Sequence, residues 1–439
     1  MKILAACTPA TGHLNPLIAI AGFLIEDGHE VVFLSGTAYR DRIEKSGARF
    51  YALPGAADVD FSDFEKVAPE LVGLEPGFDW LRTALEAIFI GRVADQDKGL
   101  RDVLSRFPAD AVIVDDMFFG VLPMLLGARA NRPPVLVCGT SVLHWRRPDK
   151  APVFVGLPPA STPAEFGQYE AIAREYDTRV DQPSLNRLKP ILEALGAPPL
   201  DFPMLEATVA LADTYLQLSV PGLEFPRPVP SAVKFVGTLP IIPGQAAIPS
   251  WAADLEQGRK VVLVTQGTVA NHDFGLLVGP TLAALADEPD ILVVATAGGR
   301  PVDAIPGPIP ENARVAEYLP FEWLLPKVDV FVTNGGYGSV NQALTFGIPI
   351  VAAGLTEDKA DVNVRIGWSG AGIDLKTNRP TPAAIRSAVR TALDVPDCRR
   401  HAQRLAAEYA SFDARAEVAD LLLSIAGVKA ISGVKAQAA

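Results

Sequence analysis

Cysteine is scarce in this 439-residue chain, which contains only Cys7, Cys138 and Cys398. An odd number at wide spacing gives neither a disulfide framework nor a metal-ligand pattern, so we expect a reducing, cytoplasmic setting. The chain also lacks an uncharged apolar run of 18 residues, and no membrane span is predicted. The apolar residues after Lys2 form too short a run for a signal peptide.

Basic residues are in the minority, with 39 Lys and Arg against 51 Asp and Glu, for a net charge of −12. This balance argues against nucleic acid or an anionic membrane surface as the main partner, because both attract basic patches. It does not exclude an anionic small ligand, which needs only local hydrogen-bond donors.

Three common nucleotide and hydrolase fingerprints are missing. Neither half of the chain opens on G-x-G-x-x-G, which disfavours a dinucleotide site. There is no Walker lysine pattern and no G-x-S-x-G elbow, which disfavours an ATPase and an α/β-hydrolase.

The chain does contain two series of short apolar runs that alternate with helical patterns. This alternation predicts an α/β fold with two doubly wound domains in series, each built on a parallel sheet. The predicted strands are 2–7, 30–35, 49–53, 111–115 and 134–138 in the first half, and 261–265, 291–296, 328–333 and 349–353 in the second. A helix is predicted over 16–27, with Asn15 as its N-cap and Pro16 in its first turn.

The proline-rich segment 221–249 separates the two series and is interpreted as a linker. We therefore predict an N-terminal domain over 1–220 and a C-terminal domain over 250–410. A C-terminal helix is predicted over 411–426, and a disordered tail over 427–439.

In the second half, the predicted strand 328–333 ends in Asn334-Gly335-Gly336-Tyr337-Gly338 before a helix that starts near Ser339. Glycines allow close backbone approach, and a helix start offers unpaired N–H groups, so the turn suits a phosphate. Glycines also serve such turns for geometry alone. Two more polar turns, 266–268 and 297–300, end strands at the same sheet edge and favour a ligand site.

In the first half, His13 follows the first strand and is one of five histidines. A histidine has the pKa of a general base near neutral pH. Asp115 ends a strand at the same edge and is the preferred partner for its second ring nitrogen, with Asp116 as the runner-up. Successive strand side chains point to opposite faces, so only one of the two is expected to reach His13.

These features occur in an ordered set of motifs: Gly12-His13-Leu14-Asn15-Pro16, Ser219-Val220-Pro221-Gly222-x-Glu224, Phe235-Val236-Gly237, Tyr318-Leu319-Pro320, the turn 333–339, Gly347-Ile348-Pro349, Glu357-Asp358-Lys359 and Gly370-Ala371-Gly372. The set resembles family 1 (UGT-like) glycosyltransferases of the bacterial macrolide-glycosyltransferase type over nearly the whole chain. The match is weakest over 58–102 and 148–211.

The resemblance implies a GT-B fold, with two facing Rossmann-like domains that bind the acceptor (1–220) and the nucleotide-sugar (250–410). It implies inverting transfer of a sugar from a UDP-sugar such as UDP-glucose, or from a TDP-sugar. The acceptor would be a hydroxyl of a small hydrophobic natural product such as a polyphenol or macrolide. His13 would be the base and Asp115 its partner, with no metal or other cofactor.

The family pattern also assigns donor contacts residue by residue. Tyr318 would stack on the base and Leu319 would contact it through its backbone, while Asn334, Gly336, Gly338, Ser339 and Thr268 would lie at the diphosphate. Gln342 would bind the ribose, and Asp358 and Lys359 the sugar. Asn334, Gln342 and Lys359 stand where the family usually has histidine, glutamate and glutamine, so donor preference is open.

Phe89, Phe118 and His144 are candidate acceptor contacts, and Asp58 and Asp60 are interpreted as a solvated loop. Three alternatives are left open by the sequence: a sugar-nucleotide 2-epimerase, a non-catalytic GT-B activator of another glycosyltransferase, and a module that sequesters a ligand in its apolar cleft. Intact His13 and Asp115 favour transfer. The sequence leaves the oligomeric state open.

Overall fold

The computed structural model describes residues 1–61, 64–241, 247–268 and 271–427, without the side chains of 64 and 65. The predicted tail lies outside the described residues from 428 onward. The described α-helices are Thr11–Glu26 (α1), Arg40–Lys45 (α2), Phe64–Val67 (α3), Phe78–Ala84 (α4), Val93–Arg106 (α5), Leu122–Leu126 (α6), Pro163–Tyr176 (α7), Gln182–Ala194 (α8), Met204–Leu211 (α9), Val278–Leu285 (α10), Phe321–Leu324 (α11), Tyr337–Thr345 (α12), Lys359–Ser369 (α13), Pro382–Asp394 (α14), Pro396–Tyr409 (α15) and Ala414–Ile425 (α16).

The strands form two sheets in which every described pair is parallel. They are Lys2–Ala6 (β1), Glu30–Ser35 (β2), Arg49–Ala52 (β3), Ala111–Asp115 (β4), Val135–Gly139 (β5), Thr214–Gln217 (β6), Val233–Phe235 (β7), Lys260–Thr265 (β8), Ile291–Thr296 (β9), Ala313–Ala316 (β10), Val330–Thr333 (β11), Ile350–Ala352 (β12) and Gly372–Asp374 (β13). The predicted α/β class with two doubly wound parallel sheets is confirmed.

The strand order of each sheet reverses at one place. The first sheet runs β3-β2-β1-β4-β5-β6-β7 and the second runs β10-β9-β8-β11-β12-β13. In open parallel sheets, ligands bind at the carboxyl ends of the strands on either side of such a reversal. Those strands are β1 and β4 in the first sheet and β8 and β11 in the second, where Ala6 pairs with Val114 and Thr265 with Thr333.

Both faces of each sheet are covered, which explains why the strands read as continuous apolar runs. In β1, Leu4 and Ala6 belong to one core cluster, and Ile3 and Ala5 belong to the cluster on the opposite face. The strands of the second sheet divide in the same way between two further clusters. The strands that carry the site residues are therefore packed against apolar side chains on both faces of each sheet.

The first helix differs from the prediction. It begins at Thr11, with Ala10 as its N-cap, so Asn15 is not the cap and Pro16 lies inside the helix. The N–H groups of His13 and Leu14 donate to the Ala10 carbonyl oxygen at 3.0 and 2.9 Å. Because the helix starts directly after the strand-end loop, His13 belongs to its first turn and not to the preceding loop.

The proline-rich segment contains more structure than a simple connection. Its residues Val233–Phe235 add β7 to the edge of the first sheet. The chain also returns to the first domain at its end, where Ala414, Val418 and Leu422 of α16 join the core on one face of the first sheet. The two domains are therefore linked twice by the chain.

A buried ion cluster ties the linker to the second domain. Glu224 contacts Arg365 of α13 at 2.7 Å and Arg227 at 2.8 Å, and all three side chains are at most 7% exposed. Burial raises the pKa of Glu224, but the two guanidinium groups outweigh it and lower this pKa to about 2. Arg227 also donates to the Leu143 carbonyl oxygen at 2.9 Å, so the cluster fixes α13 against the loop that follows β5.

No helix within the described ranges is long and apolar enough to cross a membrane.

Candidate active site

His13 and Asp115 meet at the reversal of the first sheet. The Nδ1 atom of His13 lies 2.9 Å from Oδ1 of Asp115. The histidine side chain is 20% exposed, whereas the aspartate is fully buried. A hydrogen bond at Nδ1 to a carboxylate selects the tautomer protonated there, and this leaves Nε2 free to accept a proton.

Asp115 is held by donors on both of its oxygens. Oδ2 accepts from the Thr8 N–H at 2.6 Å. Oδ1 accepts from the Thr8 hydroxyl at 3.2 Å and from the Met117 N–H at 3.0 Å, in addition to His13. Donors of this number stabilise a buried carboxylate anion and fix its orientation.

The environment of His13 favours its protonated form. Burial lowers the pKa of His13, but the charge and hydrogen bond of Asp115, followed by the charges of Asp116 and Asp358, raise it by more, so the net pKa shift is upward. A base with a raised pKa is a stronger proton acceptor, at the cost of being protonated over a wider pH range.

Asp116 does not touch His13 directly, in agreement with the expectation that only one of the two carboxylates reaches it. Its Oδ1 accepts from the Thr140 hydroxyl at 2.8 Å and from the Thr140 N–H at 3.2 Å. The same hydroxyl oxygen lies 3.0 Å from Nδ1 of His13. Burial raises the pKa of Asp116 to about 6.

The glycine-rich turn directly follows β11, at the reversal of the second sheet. The Asn334 side chain donates to the Gln266 carbonyl oxygen at 2.8 Å and so joins the turn after β11 to the turn after β8. Gly335 has φ of +100°, and a Cβ there would lie 2.0 Å from the Asn363 side chain. Only glycine fits this position without strain.

The turn ends in the N-terminus of α12. Gly336 is the N-cap, and Gly338 and Ser339 lie in the first turn. The Ser339 hydroxyl donates to the Gly336 carbonyl oxygen at 2.9 Å. A Cβ on Gly338 would meet nothing within 4 Å, so its backbone borders open space. The N–H groups and partial positive charge of this helix start form an anion site.

The other predicted donor residues lie in different settings. Tyr318 is 55% exposed and its ring lies against Gly299, whereas the Leu319 side chain is in the core. Thr268 is exposed in the turn after β8. Gln342 is half-buried on α12 and borders a groove with linker residues 238–241.

The predicted sugar-binding pair lies at the start of α13. Asp358 is its N-cap, and its Oδ2 accepts from the Ser141 hydroxyl of the first domain at 2.7 Å. Burial raises the pKa of Asp358 to about 6. Lys359 is buried and its ammonium contacts the Glu357 carboxylate, while burial lowers the pKa of Lys359 to about 7. The Ser141 contact bridges the two domains beside His13.

The candidate acceptor residues are only partly placed in the cleft. Phe89 is half-buried, with its ring centroid 6.4 Å from that of His13. The Phe118 side chain is 0% exposed and packs inside the core of the first domain. His144 is 2% exposed against Phe154, at 5.1 Å between ring centroids. Burial lowers the pKa of His144 to about 4.

His13, Asp115 and Asp116 offer three possible metal-ligand atoms within 4.8 Å of one another. The hydrogen bonds described above already use Nδ1 of His13, both oxygens of Asp115 and Oδ1 of Asp116. This donor pattern suits a proton acceptor with its positioning partners better than a cation site.

Sequence reasoning missed Thr140 and Ser141, which directly follow β5 at the edge that carries Asp115. Their position was a usable signal, because Asp115 ends β4 and Asp116 directly follows it at the same edge of the sheet. Hydroxyl residues are common in loops, however, and only the structure shows that Thr140 contacts His13 and that Ser141 contacts Asp358 of the second domain.

Comparisons with known proteins identify the relatives of this chain. A family model described as the erythromycin biosynthesis protein CIII-like C-terminal domain matches residues 281–425. The 4'-demethylrebeccamycin synthase of Lentzea aerocolonigenes is 39% identical over 96% of this chain and 98% of its own. UDP-glycosyltransferase 2 of Phaeomoniella chlamydospora is 36% identical over 95% of this chain and 94% of its own.

Among solved structures, CalG4, the calicheamicin glycosyltransferase, superposes with a TM-score of 0.71 at 20% identity, covering 98% of this chain and 99% of its own. That likeness confirms the two-domain GT-B fold. With relatives above 30% identity along almost the whole length, the chain belongs to the family 1 (UGT-like) glycosyltransferases, of the macrolide-glycosyltransferase type.

Proposed function

We propose that the protein transfers a sugar from a UDP-sugar to a hydroxyl of a small hydrophobic acceptor, with inversion at the anomeric carbon and with no metal. The observation that carries this proposal is the placement of two complementary sites at facing sheet reversals. A histidine–carboxylate pair lies on one domain, a helix-terminal anion site lies on the other, and the 2.7 Å contact of Ser141 with Asp358 bridges them.

In the proposed reaction, Nε2 of His13 takes the proton of the acceptor hydroxyl as its oxygen attacks the anomeric carbon. The bond from that carbon to the diphosphate breaks on the opposite side, and the electron pair leaves with UDP. Asp115 stabilises the imidazolium that forms. The N–H groups at the start of α12 stabilise the charge that develops on the diphosphate.

The sugar would lie between the domains, with its hydroxyls donating to Asp358. The Ser141 hydroxyl already makes a hydrogen bond of this kind, at 2.7 Å from Oδ2. Phe89, beside His13, would form part of an apolar acceptor wall. Several relatives are named as UDP-glycosyltransferases or UDP-glucosyltransferases at 31–36% identity, which favours UDP over TDP.

A Gly338→Ala variant tests the position of the diphosphate. The new Cβ would lie within 4 Å of no atom of the described residues, and alanine is the better helix former by about 0.5–1 kcal/mol, so the melting temperature should not fall. Crowding against the diphosphate should nevertheless weaken binding of UDP about 10- to 100-fold, as expected for losing one or two charge-assisted hydrogen bonds. Titration calorimetry with UDP, dTDP and their glucose conjugates measures the dissociation constant of each ligand for the variant and the wild type.

Gly22→Ala is the matched control, because Gly22 lies within α1 and its Cβ would also meet nothing within 4 Å. It should leave UDP affinity unchanged. UDP affinity in Gly338→Ala equal to that of the wild type would place the diphosphate elsewhere. Donor turnover in the absence of any acceptor would favour 2-epimerisation over transfer, and absence of donor binding would favour a non-catalytic or sequestering role.

A further inference from the structure

We infer that Thr140 and Asp116 form a second positioning arm for His13, so that the base is held by two carboxylates, one direct and one relayed through a hydroxyl. The inference rests on the proposed role of His13 as the base. The Thr140 hydroxyl oxygen lies 3.0 Å from Nδ1 of His13 and 2.8 Å from Oδ1 of Asp116. A hydroxyl has one proton and two lone pairs, and this fixes the direction of both bonds.

The Thr140 proton goes to Asp116, because a carboxylate oxygen can only accept. The Thr140 oxygen is then left with lone pairs, so it accepts from Nδ1–H of His13. That N–H is therefore shared between the Thr140 oxygen and Oδ1 of Asp115, which lies at 2.9 Å. Two acceptors hold the ring in one tautomer and one orientation.

The groups around Asp116 show which cation can balance its buried negative charge. Its Oδ2 lies 3.4 Å from the Tyr215 hydroxyl, which donates to it, and 4.0 Å from Nδ1 of His144. Burial lowers the pKa of His144 to about 4, so this imidazole is neutral near pH 7 and does not compensate the carboxylate. The imidazolium of His13 is the cation whose charge acts most strongly on Asp116.

The groups that act electrostatically on these two residues come from several elements. Asp115, Asp116 and Asp358 act on His13. The titratable and hydrogen-bonding groups that interact with the Asp116 carboxylate are His13, Asp115, Thr140, Tyr215, His144, Cys7 and Cys138. When His13 takes the acceptor proton at Nε2, no proton moves through Thr140. The second arm instead keeps Nδ1–H in place and adds a second negative charge near the new imidazolium.

Thr140→Val removes the hydroxyl at nearly constant shape, and Thr140→Ser keeps it. We expect Thr140→Val to lower kcat about 10-fold, as for the loss of one charge-assisted contact, and to leave the KM for the donor unchanged. The pKa of His13 should also fall, because the relayed charge is weakened. Thr140→Ser should restore both kcat and the pKa of His13. Asp116→Asn should lower the pKa of His13 as well, because it removes the negative charge at the far end of the arm.

The pKa of His13 is read from the ¹³Cε1–H signals of histidine-labelled protein. The chain has five histidines, so the signals should be resolved. The signal that is missing in His13→Gln is that of His13. This readout needs no turnover, so it separates the inference from the proposed reaction. Thr208→Val is the matched control, since the Thr208 hydroxyl donates to the Asp116 carbonyl oxygen at 3.1 Å and touches neither carboxylate nor His13 in this network. An unchanged His13 titration in Thr140→Val, or equal shifts in Thr208→Val, would overturn the second arm.

Discussion

Replacing His13 with alanine is expected to lower kcat about 10²- to 10⁴-fold, the usual range for loss of a positioned general base. The acceptor hydroxyl would have to lose its proton to water while it attacks. Binding of UDP should be unchanged, because the N-terminus of α12 and the turn after β11 belong to the other domain. Steady-state kinetics with a reactive acceptor, together with calorimetry for UDP, separates the two effects.

His401→Ala is a suitable control for this substitution. His401 lies on α15, and its Nδ1 contacts the Gly370 carbonyl oxygen at 3.3 Å, away from the cleft. The His401→Ala variant should retain wild-type turnover. Full transfer activity in His13→Ala would contradict the assignment of the base, and loss of UDP binding in that variant would show that the two sites are not independent.

The second large effect is expected for Asp115→Asn, which should lower kcat about 10²- to 10⁴-fold by analogy with an asparagine in a serine protease triad. Neither orientation of the amide fits the site. An NH₂ at the Oδ1 position would face the Met117 N–H, and one at Oδ2 would face the Thr8 N–H. The unsatisfied donors should also cost about 1–3 kcal/mol of unfolding free energy.

The pH profile gives a sharper readout of the same variant. His13 works only when deprotonated, so the wild-type rate falls as pH drops through the raised pKa of His13. Without the charge of Asp115 this pKa falls, and the acid limb should move to lower pH while the plateau rate decreases. Asp110→Asn at the other end of β4 is the control, since its exposed carboxylate accepts from the Lys2 N–H, far from His13. An unmoved acid limb in Asp115→Asn would contradict the pairing.

Much of this arrangement was predictable because strand ends are easy to recognise in a parallel α/β chain. Buried strands appear as continuous apolar runs, and the first polar residues after them mark one edge of the sheet. His13, Asp115 and the turn 334–339 were found in this way, and the structure places them at the two sheet reversals. Their assigned roles at the diphosphate and sugar remain predictions.

What could not be predicted depends on packing between elements far apart in sequence. The position of Phe118 after β4 favours a cleft aromatic, yet its side chain is buried in the core of the first domain. The start of α1 was misjudged because Asn15 and Pro16 form a good capping signal, which the loop geometry at Ala10 overrides. The Ser141–Asp358 contact joins residues 217 positions apart, and no local pattern encodes such a pairing.

The stereochemistry of the first product tests the central claim most directly. The geometry predicts one in-line displacement, with His13 behind the acceptor and the diphosphate held at α12 on the opposite side. Proton NMR of the glycoside formed from a UDP-α-sugar should therefore show only the β anomer from the earliest time point. An α-glycoside as the initial product would contradict the single displacement and the roles given to both sites.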